Sequence, residues 1–352
     1  MKGTQTEYNT LRKVVLGRID SDNTFPTNDI GMLAVIASDL SLYTDTNIDL
    51  QNAVKFIPEI SQTIIETTQR ELTTLKQILI DNSVEVVHPT AVPSKQTIST
   101  PTFDTTQFPV YCPRDILLNF RDLIIVAPNL YQSRIHESAY YQDILMEESK
   151  NGRLVVEAPR PYTSLNNFNT SKEAEYITNT DIPIFEAANV LIDGERNALY
   201  YQISHSGNWA GFYWLESMIK TIYPEVEVYP LEVYNGTHLD TTISILNYDT
   251  VALNPERITN TDLLPPPLQS RNHIFPDIID ATQNNGLSSK WIGMNSLSIN
   301  PSTIVVDSDQ TSYIKQLETN GFTVLPHKLT YCDVLEGGHH CTTSDLRRDE
   351  NY

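Results

Sequence analysis

The stretch from Thr303 to Pro326, TIVVDSDQTSYIKQLETNGFTVLP, lays out a unit that the chain uses more than once. Thr303-Ile304-Val305-Val306 is a run of mostly β-branched residues and predicts a short buried strand. Tyr313, Ile314 and Leu317 then fall three and four apart, on one face of a helix. Gly321 turns the chain, Phe322 and Val324 predict a second strand, and Pro326 stops it. The same succession appears earlier. Ala198-Leu199-Tyr200-Tyr201 leads to an apolar face of Leu215, Met218, Ile219 and Ile222, then to Val226, Val228 and Pro230. It also opens the chain. LRKVVLG (Leu11 to Gly17) reads as a strand ending in a glycine turn. A helix is predicted from Pro58 to Asp81, with Pro58 in its first turn and Leu72, Leu75 and Leu79 on its face. Val84, Val86 and Pro89 follow. Three copies fit a repeat architecture. They also fit the ordinary strand–helix–strand unit of α/β proteins, and periodicity alone does not separate the two.

Other stretches carry no such pattern. Asp20 to Asp49 reads as polar and irregular. Pro159 to Pro183 is long, polar and rich in Asn and Thr, the kind of loop that is functional or mobile. Leu264-Pro265-Pro266-Pro267 reads as a stiff linker. No low-complexity segment or domain-scale linker interrupts the chain.

Composition narrows the function. The chain has 352 residues, 40% of them hydrophobic, enough for a sizeable core. Twenty-four Lys and Arg stand against 44 Asp and Glu, a formal charge of −20. That balance argues against nucleic acid and anionic membranes as partners, because both need a basic face. Three cysteines (Cys112, Cys332, Cys341) are too few for a disulfide framework and point to a reducing compartment. The N-terminus lacks a signal-peptide core, and no apolar run approaches the ~20 residues of a membrane span. A soluble cytoplasmic protein is expected.

The chemistry concentrates near the C-terminus. In GGHHCTTSDLRR, Gly337 and Gly338 let the backbone come close to a ligand. Cys341 follows two imidazoles, and nearby positive charge or free N–H groups would lower its pKa, which makes it the candidate nucleophile. The competing reading is an inert buried cysteine. His238 and Asp240 are two apart, on one face if the segment is a strand. Asp115, in YCPRDILL, and Glu186, in FEAAN, add acids. Thiol, imidazole and carboxylates together suit attack on a cationic carbon. There is no CxxC, no HExxH and no phosphate loop, so neither a metal nor a cofactor is expected.

In their order along the chain, YCPRDILL, FEAAN, THLDTT, SSKW-x-x-MN and GGHHCTTSDLRR resemble the amidinotransferases, with the glycine-accepting members nearest. The likeness runs from about Thr6 to Arg348. It implies an α/β fold, the pentein or α/β-propeller, with five ββαβ-type modules in a pseudo-fivefold arrangement, and so a single domain over residues 1–352. It implies Cys341 as nucleophile, His238 as acid and base, and Glu186 as the carboxylate orienting that imidazole. The glycine-accepting members have Asp there, and the related deiminases Glu. Asp115 and Asp240 would grip the guanidinium, Arg257 the amino-acid carboxylate, and Ser289 and Asn235 would line the pocket. Thr237 stands where the glycine-accepting members have Met, which bears on the acceptor. The implied reaction moves the amidino group of L-arginine to an acceptor amine, glycine first, and releases ornithine. A hydrolase giving citrulline is the second reading. A non-catalytic guanidino-binding protein is the third, and it would be expected to have lost the cysteine or the histidine. The partners are small molecules, with a homodimer left open.

Overall fold

The computed structural model describes residues 3–43, 49–93, 96–160, 162–169, 177–178, 182–279 and 288–350. The stretch Pro159 to Pro183 therefore lies in part outside the described residues, as do Met1 and Lys2. The chain opens with β1 (Leu11–Leu16), passes through α1 (Ile30–Tyr43), α2 (Leu50–Ala53) and α3 (Gln62–Asp81), and lays β2 (Glu85–Val87) parallel to β1. A hairpin follows, β3 (Thr97–Ser99) with β4 (Asp104–Thr106). The second module has β5 (Leu117–Phe120) antiparallel to β6 (Leu123–Val126), then α4 (Gln142–Lys150), then β7 (Leu154–Glu157) parallel to β6. The third repeats this with β8 (Val190–Asp193), β9 (Ala198–Gln202), α5 (Trp209–Ile222) and β10 (Glu227–Leu231). The fourth has β11 (Ile243–Ile245), β12 (Thr250–Leu253), α6 (Pro266–Gln269) and β13 (Asn272–Ile274). The fifth has β14 (Leu297–Asn300), β15 (Thr303–Asp307), α7 (Thr311–Thr319) and β16 (Thr323–His327). Last comes β17 (Thr343–Arg348), antiparallel to β1. It completes the first module and joins the two ends of the chain. Five three-stranded sheets of the ββαβ kind result, the arrangement implied by the family likeness.

Periodicity found three of the five modules, and the reason lies in the helices. Leu72, Leu75 and Leu79 are buried under the first sheet, Leu215 and Ile219 under the third, and Tyr313 and Leu317 under the fifth. In one missed module the helix is nine residues long, but its apolar residues Ile144, Leu145 and Met146 are consecutive and show no helical spacing; in the other the helix has only four residues, too short to show a face. The expected stiff linker at Leu264-Pro265-Pro266-Pro267 is corrected on that account. Pro266 begins α6, where a missing N–H costs nothing. Asp20 to Asp49 is corrected too, since it contains α1. Met32, Leu33, Ala34, Val35 and Ile36 are consecutive and buried, so the helix is apolar all round and leaves no periodic signature. Asp29 starts it by accepting the Met32 N–H at 3.0 Å. Ser61, rather than Pro58, caps α3 through the Ile64 N–H.

Two strands run one residue past the proline expected to end them. Pro230 pairs with Tyr201 in β10, and Pro326 with Val306 in β16. Both are edge strands, where the absent donor breaks no ladder. Among the described residues no helix is long and apolar enough to cross a membrane.

Gly17 ends β1 for a reason other than a turn. A Cβ there would stand 1.9 Å from the Tyr111 carbonyl oxygen, and its own N–H donates to the Thr342 carbonyl at 2.8 Å. Gly17→Ala should therefore cost about 1–3 kcal/mol, read as a lower urea midpoint. A midpoint matching the wild type would show that the turn at Tyr111 yields to the methyl group.

Candidate active site

Each module places its chemistry at the same point, just ahead of its first strand. Asp115 lies before β5, Glu186 before β8, His238 and Asp240 before β11, Asn295 before β14 and Cys341 before β17. His238 and Asp240 are not on a strand, as alternation had suggested. His238 has φ +62, a left-handed conformation uncommon for a side chain of that size. The turn, rather than strand alternation, brings both groups to one place. Cys341, His238 and Asp115 present ligand-type atoms all within 4.8 Å of one another. Such a set could also hold a soft cation, although His238 already engages Glu186.

The thiol is held from two sides. Cys341 Sγ accepts from Asn295 Nδ2 at 3.1 Å and donates to Asp240 Oδ2 at 3.3 Å. Asn295 Oδ1 takes the backbone N–H groups of His340 and Cys341 at 2.9 and 3.0 Å. Asn295 is the last residue of SSKW-x-x-MN, and it fixes the backbone and the sulfur of Cys341 together, a role the motif alone does not reveal. The expectation of a thiol activated by its neighbours is corrected. Burial and then the Asp240 carboxylate push the Cys341 pKa well up.

His238 meets Glu186 through Nε2, and Asp115 Oδ1 lies 3.7 Å from the same nitrogen. Burial would lower the imidazole pKa, but Asp115, Glu186 and Asp240 outweigh it and hold His238 at about 10. The resting site at neutral pH thus combines an imidazolium with a thiol.

Two of the acids, Asp115 and Asp240, are backed by a cation. Arg134 donates to Asp115 Oδ2 at 2.6 Å and is itself held by Glu137 and the Cys112 carbonyl. His340 Nδ1 meets Asp240 Oδ2 at 2.8 Å, and its Nε2 meets Glu7 at 3.2 Å. Burial of Asp240 is outweighed by His340, so its pKa falls to about 2. Nothing in the sequence pattern singles out Arg134 or Glu7. One oxygen of each carboxylate stays without a hydrogen bond: Asp115 Oδ1, Glu186 Oε1 and Asp240 Oδ1.

Arg257 lies 3.6 Å over the Tyr234 ring. It donates to Thr241 Oγ1, Thr242 Oγ1 and Ser289 Oγ at 2.9, 2.7 and 2.6 Å. The structure so joins Ser289 to Arg257. Asn235 has an exposed side chain, and its carbonyl accepts the His205 N–H at 3.1 Å. The neighbours of the cysteine divide their work. His340 serves the site, whereas His339 is buried against His327 at 2.9 Å. Arg348 is spent on Asp345.

These protonation states make a direct forecast. Iodoacetamide should alkylate Cys341 slowly at pH 7 and readily only above pH 9, the ordinary thiol value. Asp240→Asn removes the nearest negative charge, so the rise should move to lower pH. Peptide mapping separates Cys341 from Cys112 and Cys332. An unshifted profile would rule out Asp240 as the group that keeps the proton on sulfur.

No family model matches the chain. Curated relatives do. The chain is 37% identical over 290 residues to inosamine-phosphate amidinotransferase 1 of Streptomyces glaucescens, covering 81% of each protein. The solved inosamine-phosphate amidinotransferase of Streptomyces griseus superposes with a TM-score of 0.89 at 33% identity, over 100% of this chain and 98% of that one. The mitochondrial glycine amidinotransferase of Gallus gallus is 27% identical over 292 residues, 79% of this chain and 68% of the relative. The ring of five ββαβ modules is the pentein fold, and the chain belongs to the amidinotransferase family.

Proposed function

We propose that the protein transfers the amidino group of L-arginine, through an adduct on Cys341, to the amine of an amino-cyclitol phosphate. The observation that carries this reading is the set of three buried carboxylate oxygens without partners beside the thiol. A buried acceptor left unsatisfied is costly. A guanidinium is planar, cationic and rich in N–H donors, and it can satisfy all three at once.

The protons balance on the chain's own groups. Sγ attacks the guanidinium carbon, and the bond from that carbon to the substituted nitrogen breaks. That nitrogen carries one hydrogen in arginine and three when ornithine leaves as an ammonium. The imidazolium of His238 supplies one of the two added protons, and the thiol of Cys341 supplies the other. Gripping the cation between Asp115, Glu186 and Asp240 offsets the negative field that keeps the thiol protonated. The amidino group remains on sulfur. The acceptor half runs in reverse: the incoming ammonium returns one proton to His238 and one to sulfur.

Glycine, the acceptor expected first, gives way to an amino-cyclitol phosphate because the relatives of higher identity carry inosamine phosphate in their names. Thr237 in place of Met agrees with a different acceptor pocket. Arg257, stacked on Tyr234 and steered by three hydroxyls, suits an anion. It would take the carboxylate of arginine first and the acceptor's phosphate second. Glu186 keeps a hydrolase giving citrulline as the second reading, since the deiminases share that residue.

L-arginine alone should leave an amidino adduct on Cys341, seen in the intact mass, with release of ornithine. Cys341→Ala should abolish it. A panel of glycine, lysine and amino-cyclitol phosphates, analysed by mass spectrometry, should then discharge the adduct best with the cyclitols. Citrulline without ornithine would overturn the transferase reading. A charge-assisted two-pronged contact is worth roughly 1.5–3 kcal/mol. Arg257→Lys should therefore weaken arginine about tenfold or more while leaving agmatine, which lacks the carboxylate, nearly unchanged. Equal effects on both donors would remove Arg257 from carboxylate binding.

A further inference from the structure

The scheme above leaves Glu336 without a task. Glu336 stands five residues before Cys341 (341 − 336 = 5) and is partly exposed. Its φ is +61, in the left-handed region where a side chain is strained and glycine is not. Two glycines follow directly, so the same loop uses glycine where space demands it. A Cβ on Gly337 would meet Cys112 Sγ at 2.3 Å and Cys341 Cβ at 3.0 Å. Strain of this kind persists only where the surroundings enforce it, and it gathers at functional sites. The Glu336 carboxyl feels the charges of Glu186, Arg134, Asp115 and His238, and its backbone carbonyl lies 3.9 Å from Cys112 Sγ. Among the described residues no side-chain hydrogen bond or ion pair to the carboxyl is seen.

We propose that Glu336 is the acceptor-binding carboxylate: it receives the incoming ammonium beside the amidino adduct and holds it within reach of His238. The proposal rests on the amidinotransferase reading and extends it. Once ornithine has left, the amidino cation on sulfur occupies Asp115, Glu186 and Asp240. A second cation, the acceptor's ammonium, then needs a carboxylate that is still free, and Glu336 is the one that feels the charges of the site. His238, left neutral by the first half, takes the first proton of that ammonium. The neutral amine attacks the amidino carbon, the C–S bond breaks, and the second proton returns to sulfur.

The carboxyl also changes state at the right moment. Burial, and then repulsion from Glu186, hold its pKa up at about 8 in the resting site. At pH 7 it is therefore mostly neutral and does not compete with the other acids for arginine. The adduct's positive charge cancels the repulsion from Glu186 and Asp115, so the carboxyl ionises as the acceptor's turn arrives.

The donor half is otherwise neutral in protons, which makes the idea measurable. Protein and arginine, with no acceptor, are mixed at pH 7 in weak buffer with an indicator dye, and the adduct is counted by intact mass. Wild-type protein should release up to one proton more per adduct than Glu336→Gln. In single-turnover discharge of the adduct to a primary amine, Glu336→Gln should be slowed tenfold or more relative to its own donor step. Glu336→Asp should recover part of that loss, which a purely structural role would not allow. Glu336→Gly, free of the backbone strain, controls for folding. Equal proton release in the two proteins, or donor and acceptor steps slowed alike, would overturn the assignment. Failure of wild-type protein to form any adduct would instead refute the amidinotransferase reading itself.

Discussion

Three carboxyl groups gathered away from water repel one another when charged, and the site is arranged around that repulsion. Two unit charges about 4 Å apart interact by about 4 kcal/mol at an effective dielectric of 20. Left alone, such acids would take up protons and lose their grip on a cation. Arg134 stands behind Asp115, and His340 stands behind Asp240 with Glu7 and Arg114 behind it in turn. Arg114 also ties to Asp345, which pairs with Arg348. The charges thus alternate outward from the site into β17. These contacts fix one oxygen of Asp115 and one of Asp240 and leave the other unmatched. Those unmade bonds are what the proposed guanidinium would satisfy.

Placement of the groups follows from the fold. Each module turns into its first strand at the same end of the ring, so residues distant in sequence converge without long excursions. Asp115 and Cys341 are neighbours because the Arg114 N–H donates to the Cys341 carbonyl at 3.3 Å and the Arg114 guanidinium reaches the Thr343 carbonyl at 2.9 Å. The β1–β17 ladder and the contact of Gly17 with Tyr111 hold the last strand in register with the first. A shift of one residue in β17 would turn its side chains to the opposite face and move the thiol away from His238.

Cys341, His238 and the acids Asp115, Glu186 and Asp240 are legible in the sequence, because those residue types sit in spaced motifs. The structure brings Cys341, His238, Glu186, Asp115 and Asp240 together. Long amphipathic helices such as α3 and α5 were legible for the same reason: a face needs several turns to show itself. What stayed hidden depends on contacts between distant positions. Arg134 reads as an ordinary basic residue until Asp115, 19 positions away, is beside it. Glu7 lies 333 positions from His340. The raised pKa of Cys341 is hidden in the sequence because its neighbouring imidazoles there are not its neighbours in charge. His340 spends its charge on Asp240, and His339 is turned towards His327. Glu336 carried no sequence signal at all, since only its backbone angle and its surroundings set it apart from a solvated loop acid.

A raised thiol pKa would be a defect in an enzyme that attacks neutral carbonyls, where the thiolate must exist beforehand. Here it has a use. The departing amine needs two protons, and a site resting as thiol and imidazolium already holds both. A preformed thiolate with a neutral imidazole would hold neither, and both would have to come from solvent into a site that must stay dry while the adduct exists. The same arrangement selects the electrophile. The negative field of Asp240 and Asp115 suppresses the thiolate until a cation occupies the carboxylates, so the substrate that needs the nucleophile is the one that releases it. Neutral electrophiles of similar size meet a protonated sulfur and pass by. In the proposed reaction cation binding and sulfur activation are one event, because Asp240 touches the thiol and is one of the acids proposed to hold the guanidinium.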